Sequence, residues 1–401
     1  MPGETNRVSV QFEREADFNT IPGAPDMTTK EVVSESLTHN KTTSRSQRIR
    51  SDAQVPDWIE TAVQATGGLN DELSYAAHDD FIESSMRGTY AATALTGIPG
   101  GIMTASTRRI DNTGTSPSFN TTGNIVAGQA INISGFSNSA NNGIKMVKTV
   151  TDSEIFLAEE ETDLVNESGA TLAVATAKRV INGTTARSYY IQKEQADTAA
   201  NSFQRFTGMR VNSWNLNFAA GAVIESNYDF MGTAMTTSDT DLDDAPTAAS
   251  SNTVMSASAN AGAVRLDGLK LSASSVQVQS VNLTVNNSMR GPSVIGQKGA
   301  GFINAGSFEV TGTLGIFYSR LDEVSDFVAH TSRRLHYNAQ DAAGNAIFVE
   351  LPAFYFLSDG TPQAGGIDDD ILVNFNIGCK LKAAAAGIPS TYTMCVSMVD
   401  A

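Results

Sequence analysis

Apolar and polar residues alternate over long stretches of the chain, most clearly in its second half. SYYIQKEQ (188–195), FQRFTGMRVNSWNLNF (203–218) and VIESNYDFMGTAMT (223–236) have apolar residues recurring at every second position in places, as at Met209 and Val211 and again at Trp214, Leu216 and Phe218. That period predicts strands with one buried face. LKLSASSVQVQSVNLTVNN (269–287) alternates over a longer distance. From Ile125 the pattern changes to short β-type runs every 8–12 residues, separated by SGF, NNG, TDS and ESG turns. It predicts a small separate β-domain over 118–181.

Two stretches depart from the β pattern. Leu73, Ala76, Ala77, Phe81 and Met86 fall close to three-and-four spacing and predict a helix over 71–87, with Gly88 as its stop. Leu321, Val324, Phe327 and Val328 share a face and predict a second helix at 321–331. Both carry acids in their first turns, which suits the positive end of a helix dipole. The two helices occupy comparable settings, and the run 206–234 loosely resembles 269–296, so a β-barrel or sandwich with helices beside it is expected.

The first half is less regular. Residues 1–25 predict an N-terminal arm, with isolated apolar positions among charges and with Pro22 and Pro25 interrupting any regular element. In 28–52 two extended pieces flank a polar centre from Thr38 to Arg48. A hairpin leaving the globular body, roughly 30–52, has this composition, and so does a disordered loop. WIETAVQATGG (58–68) predicts a strand ending in a glycine pair, and 92–120, rich in Thr, Gly, Ser and Pro, predicts connection. The expected division is 1–25 as arm, 26–117 as the first part of the main domain, 118–181 as an insertion and 182–401 as the second part.

Composition narrows the function classes. The 401 residues include 27 basic and 43 acidic side chains, for a net charge of −16, and only 17% are charged. That share is below the roughly 25% of an average soluble domain. Ser, Thr, Asn and Gly fill the polar positions, and no run approaches the ~18 apolar residues of a membrane span, so no membrane partner is expected. The opening MPGETNRVSVQFERE has no apolar segment of signal-peptide type, and Sec export is not expected. Two cysteines, Cys379 and Cys395, are too few for a disulfide framework or a cysteine-based metal site. The acidic balance argues against gripping DNA, which requires Lys and Arg to neutralise phosphates.

No catalytic constellation emerges. His78 precedes Asp79 and Asp80, but neighbours in sequence do not face one another on a helix, and a place on the helix surface is expected. His330 and His336 flank Arg333 and Arg334 without ligand spacing. SDTDLDD (238–244) and IDDDILV (367–373) read as solvated acidic turns, lacking the glycine and distal Glu of a calcium loop. There is no nucleophile elbow and no phosphate-binding glycine loop. Neither catalytic residues nor cofactor nor metal is expected. The positive patch is Lys41, Arg45, Arg48 and Arg50, which in so acidic a chain suits the surface of another copy. Trp58 and Trp214 lie in strand-like segments, where burial is expected.

Several stretches together resemble the tail tube proteins, or major tail proteins, of phages with long non-contractile tails. The first is SRSQRIRSDAQVPDWIETAVQATGGLNDELSYAAHDDFIESSMRGTY (44–90), although here Arg50 and Asp52 stand one residue apart where the family has an Arg-Asp pair. The second is NLTVNNSMRGPSVIGQKGAGFINAGSFEVTGTLGIFYSRLDEVSDFVAHTSRRLHY (282–337), and the third is AAGNAIFVELPAFYF (342–356), with Gly344 and Leu351-Pro352. The resemblance covers roughly 20–105 and 182–380. It implies a mainly β fold: a tail-tube barrel or sandwich with short flanking helices, a long projecting hairpin and an inserted small β-domain on the exterior. It implies hexameric rings stacked into a virion tube assembled in the host cytoplasm, with DNA passing through the lumen unbound. Tape-measure, tail terminator and distal tail proteins are the implied partners. A β-rich decoration or glycan-binding tail protein is the alternative and would need an exposed aromatic-lined site. A glycosidase would need two opposed carboxylates in a cleft.

Overall fold

Strand dominates the chain. A computed structural model describes residues 7–400 other than 22, 115–116, 159–160, 197–201, 263, 267–268, 271–276, 320, 359, 365 and 384–390. The start of the expected arm and Pro22, and residues 271–276 of the long alternating run, lie outside the described residues. The chain opens with β1 (Val8–Arg14), β2 (Thr28–Lys30), β3 (Ser34–Glu35), β4 (Thr38–Arg45), β5 (Trp58–Glu72) and helix α1 (Asp79–Ser85). Then come β6 (Ala91–Thr104), β7 (Arg109–Asp111), β8 (Ala130–Ser134), β9 (Gly143–Val150), β10 (Glu154–Leu157) and β11 (Glu167–Ile181). The next run is β12 (Tyr189–Gln195), β13 (Ser202–Ala219), β14 (Glu225–Gly232), β15 (Ala234–Ser238), β16 (Arg265–Leu266), β17 (Leu269–Lys270) and β18 (Val278–Asn286). The last is β19 (Glu309–Phe317), α2 (Asp322–Ala329), β20 (Arg333–Gln340), β21 (Ala346–Ser358), β22 (Leu372–Cys379) and β23 (Cys395–Val399).

The spine is β13. Its first half pairs with β12 and β15, its second half with β14 and β18, all antiparallel. Met209 and Val211 are buried, and so are Trp214, Leu216 and Phe218, two positions apart within each set but of opposite parity. A register shift between Val211 and Ser213 reconciles them. The extra residue turns the second half of the strand so that both apolar sets face inward. From β13 one sheet continues through β12 to β1 and β2. The larger sheet runs β4, β5, β14, β13, β18, β19, β22, β21, and β21 also carries β20 and β23. Val10, Phe12, Tyr189, Phe206, Tyr228, Leu283 and Phe375 join one core. Within 1–25, therefore, β1 lies between two strands with Val10 and Phe12 buried.

Six strands close on themselves. β6 pairs with β7, β7 with β10, β10 with β9, β9 with β8 and β8 with β11, and β11 returns to β6. This small barrel has its own core, with Ile98, Ile110, Ile131, Val147 and Leu172 at its centre. Past the barrel, β11 pairs with β23 and so joins the body. Residues 91–104 are strand here, not the connection their composition predicts. Gly97 and Gly100 take positive φ, and the register against β11 shifts four times along the pair. Glycine in a strand marks such corners, and it also hides the strand from a reading by composition. At the seam with the body, Gly128 has φ +83, and any Cβ there would collide with the Glu350 carboxylate. Glu350 itself is buried and held by Arg334 at 2.7 Å and by the Tyr392 hydroxyl at 3.2 Å.

The first helix is shorter than its spacing predicts. β5 continues to Glu72 because β14 pairs with it over its last eight residues, so strand pairing overrides helical propensity there. α1 begins at Asp79 and buries five of its seven residues. His78, expected on a helix surface, is buried instead beneath Tyr228. Its Nε2–H donates to the Glu72 carbonyl at 3.0 Å, and Nδ1 has no partner. The Asp71 carboxylate, 3.5 Å away, is committed to Lys30. Burial, with Lys30 adding to it, pushes the imidazole pKa from 6.5 to about 3. The unfolded chain therefore binds a proton below pH 6.5 that the folded chain refuses. The stabilisation is complete above that pH and is lost as pH falls toward 3, at up to about 1.4 kcal/mol per pH unit. Urea unfolding at pH 7 and pH 5 should show His78→Gln losing about 2 kcal/mol less than wild type on acidification. Equal losses would remove His78 as the cause.

Candidate assembly surfaces

The patch singled out from the sequence sits on the ribbon of β4 and β5. Register runs from Thr38↔Thr66 to Arg45↔Trp58, and Ser46 N–H still bonds the Asp57 carbonyl at 3.0 Å. The hairpin therefore returns through β5, beyond the expected limits of roughly 30–52. Seven of the eight residues of β4 are exposed, and so is every residue from 47 to 59. From Thr38 to Gln64 along this outer part of the ribbon, no residue of either strand or of the connection is buried. β4 pairs only with β5, and β15 only with β13, which leaves an open edge on each among the described residues. Open edges in a monomer are templates for pairing with another chain.

The four cations are not equivalent. Lys41 and Arg45 stand on β4, while Arg48 and Arg50 lie beyond it in the connection. Arg50 forms a two-pronged pair with Asp52, Nε to Oδ1 at 2.9 Å and Nη2 to Oδ2 at 2.6 Å. That pair raises the Arg50 pKa and lowers that of Asp52. Arg50 is thus neutralised within its own loop, which leaves Lys41, Arg45 and Arg48 as the available charges.

Apolar residues at the same place escaped the sequence reading. Trp58, expected to be buried, is 65% exposed, with Ile59 beside it and Ile49 and Val55 in the connection. The available signal was the wholly polar β4: a strand whose partner offers no apolar residues has no core to face. Trp214, by contrast, is buried as expected, its indole N–H donating to Ser226 Oγ at 3.0 Å.

The acidic turns differ as well. Asp243 accepts the Met27 N–H at 2.8 Å, and Asp241 accepts from Gln192, so 238–244 is tied to the body and not simply solvated. Asp368, Asp369 and Asp370 are exposed. The helix acids are paired across elements: Arg14 reaches Asp80 at 2.8 Å and Glu83 at 2.7 Å, and Lys178 of β11 holds Asp79. His330 ends α2 in the left-handed region and stacks on Tyr355, while His336 is buried beside Arg265. Both cysteines are free thiols, each pushed up to about 12 by burial. Among the described residues no group of three or more His, Cys, Asp or Glu is placed to hold a metal.

A site for chemistry is therefore not what these surfaces offer; they offer edges, an exposed apolar cluster and unpaired cations. No curated protein matches the chain. The family model described as phage tail tube protein matches residues 5–379. The chain belongs to that family, whose members are structural and not catalytic, and is a tail tube protein of a phage.

Proposed function

We propose that copies of this chain associate head to tail into rings of six, and that the rings stack into the hollow tube of a long non-contractile tail. DNA leaves the virion through the lumen. The observation that carries this reading is the β4–β5 ribbon: its outer half has no buried face, an unpaired edge, exposed Trp58 and Ile59, and three unneutralised cations. A neighbour's strand on such an edge completes the ladder, and a repeated contact of this kind builds a fibre instead of a closed dimer. The patch of Lys41, Arg45 and Arg48, with Arg50 held by Asp52, faces the next ring. The net charge of −16 suits a conduit, since phosphates slide past a surface that does not neutralise them. The six-stranded barrel decorates the tube's outside. The tape-measure protein occupies the lumen before ejection, and terminator and distal tail proteins close the two ends.

Electron microscopy of the purified full chain tests the reading. Regular hollow tubes with sixfold end views are expected. Dispersed monomers under all assembly conditions would overturn it.

A further inference from the structure

Four arginines converge on one cavity in a chain otherwise short of cations. Arg87, Arg187, Arg210 and Arg290 line a hollow of about 380 Å³ between the end of α1 and the connection from β18 to β19. Arg187 has a carboxylate of its own, Glu83 at 3.2 Å. Arg87 and Arg210 spend one Nη each on the carbonyls of Gly306 and Ile303. Neither has a carboxylate within ion-pair distance among the described residues, and burial lowers the pKa of both. Glu15 attracts Arg210 only at longer range, its oxygens being taken by the N–H groups of Gly208 and Asn19. Arg290 stands exposed at the mouth. A second hollow of about 400 Å³ adjoins it, sharing Arg290 and Asn304 and lined by Gly291, Pro292 and Phe302. Phe302 is 45% exposed. The surface thus presents unneutralised guanidinium groups beside an apolar dimple.

One segment of the same chain has the complementary order of features. Asp79, Asp80, Glu83, Asp241 and Asp243 are all engaged inside the molecule. Asp368, Asp369 and Asp370 are not: all three are exposed, and among the described residues their one side-chain bond is from Gly366 N–H to Asp369 at 3.0 Å. Ile367, next to them, is 93% exposed. We propose that the Ile367–Asp370 loop of one copy seats in the arginine cavity of the next. Its carboxylates meet Arg87 and Arg290, and Ile367 enters the Phe302 dimple. Guanidinium forks match carboxylates in geometry as well as in charge. The loop follows β21 and the cavity borders β13, so the two surfaces are different, as a head-to-tail contact requires. This contact rests on the assembly reading above and specifies its register.

Charge exchange tests it on the full chain. Arg290 is exposed and Asp370 has no partner among the described residues, so Arg290→Glu and Asp370→Lys should both leave the melting temperature unchanged. Each alone should raise the critical concentration for tube formation at least about tenfold, and the chain carrying both should return to within about threefold of wild type. Wild-type assembly by either single variant would overturn the contact, as would a folded double variant no better than the singles. If the cavity served nucleic-acid phosphate instead, Arg290→Glu would leave tube assembly intact. Wild-type protein that forms no tubes would remove the assembly reading and this contact with it, a result distinct from tubes that ignore the substitutions.

Discussion

Replacing residues 47–56 with Asn-Gly should abolish tube formation while leaving the protein folded. The ladder of β4 and β5 ends at Arg45↔Trp58, with one further bond from Ser46 to Asp57. A two-residue turn of this sequence closes an antiparallel pair without shifting its register. Every residue removed is exposed, so the stability change should stay within about 0.5 kcal/mol. What is lost is Arg48, the Arg50–Asp52 pair, Ile49 at 101% exposure and Val55 at 45%. Apolar residues grouped on an outer surface mark a contact, and Trp58 beside them is the residue type that most often dominates one. Sedimentation and electron microscopy should find no tubes even at about a hundredfold the wild-type critical concentration, a loss of roughly 2.7 kcal/mol or more per contact. Normal tubes from the shortened hairpin would show that the tube assembles through another surface.

Phe81→Ala should be the most damaging single change to the fold. The Phe81 ring lies 4.6 Å from that of Phe12, 5.2 Å from Tyr189 and 5.3 Å from both Tyr228 and Phe230. Those four rings come from β1, β12 and β14, so one side chain on α1 joins strands of both sheets. Removing it leaves a cavity that a seven-residue helix cannot fill by shifting, because Arg14 and Lys178 hold its acids in place. The cost should be about 3–5 kcal/mol, read as a lower urea midpoint at unchanged slope. A loss below about 1 kcal/mol would mean that the rings close over the gap.

How far the sequence foretold this molecule differs element by element. The alternation in 203–218 announced β13, and the spacing of Leu321, Val324, Phe327 and Val328 announced α2 to within two residues. β6 was hidden because the glycines that let it bend also resemble a loop. Helix α1 was overextended because Leu73 and Ala76 fit a helical period while β14 held 65–72 as strand. His78 followed that error onto a surface it does not occupy. In the candidate site, Arg50 could be discounted from sequence, since Asp52 is two residues away. The arginine cavity could not be read at all: Arg87, Arg187, Arg210 and Arg290 are scattered over two hundred residues and meet only once the sheets are paired.

The closure of the small barrel has a consequence for how such a chain can change over time. Thr93 and Ala177 face each other across the β6–β11 ladder where the chain departs from the body and where it rejoins it. Everything between them is one excursion that begins and ends about 5 Å apart, with a core of its own. A segment attached in this way can be shortened or enlarged at its far end, while Ala130, Met146 and Ala158 pack on Ala346, Phe348 and Val399 and hold its near end to the body. The strands that carry β13 and the hairpin keep their connectivity throughout, so the outer part of the barrel is free to diverge separately from the body.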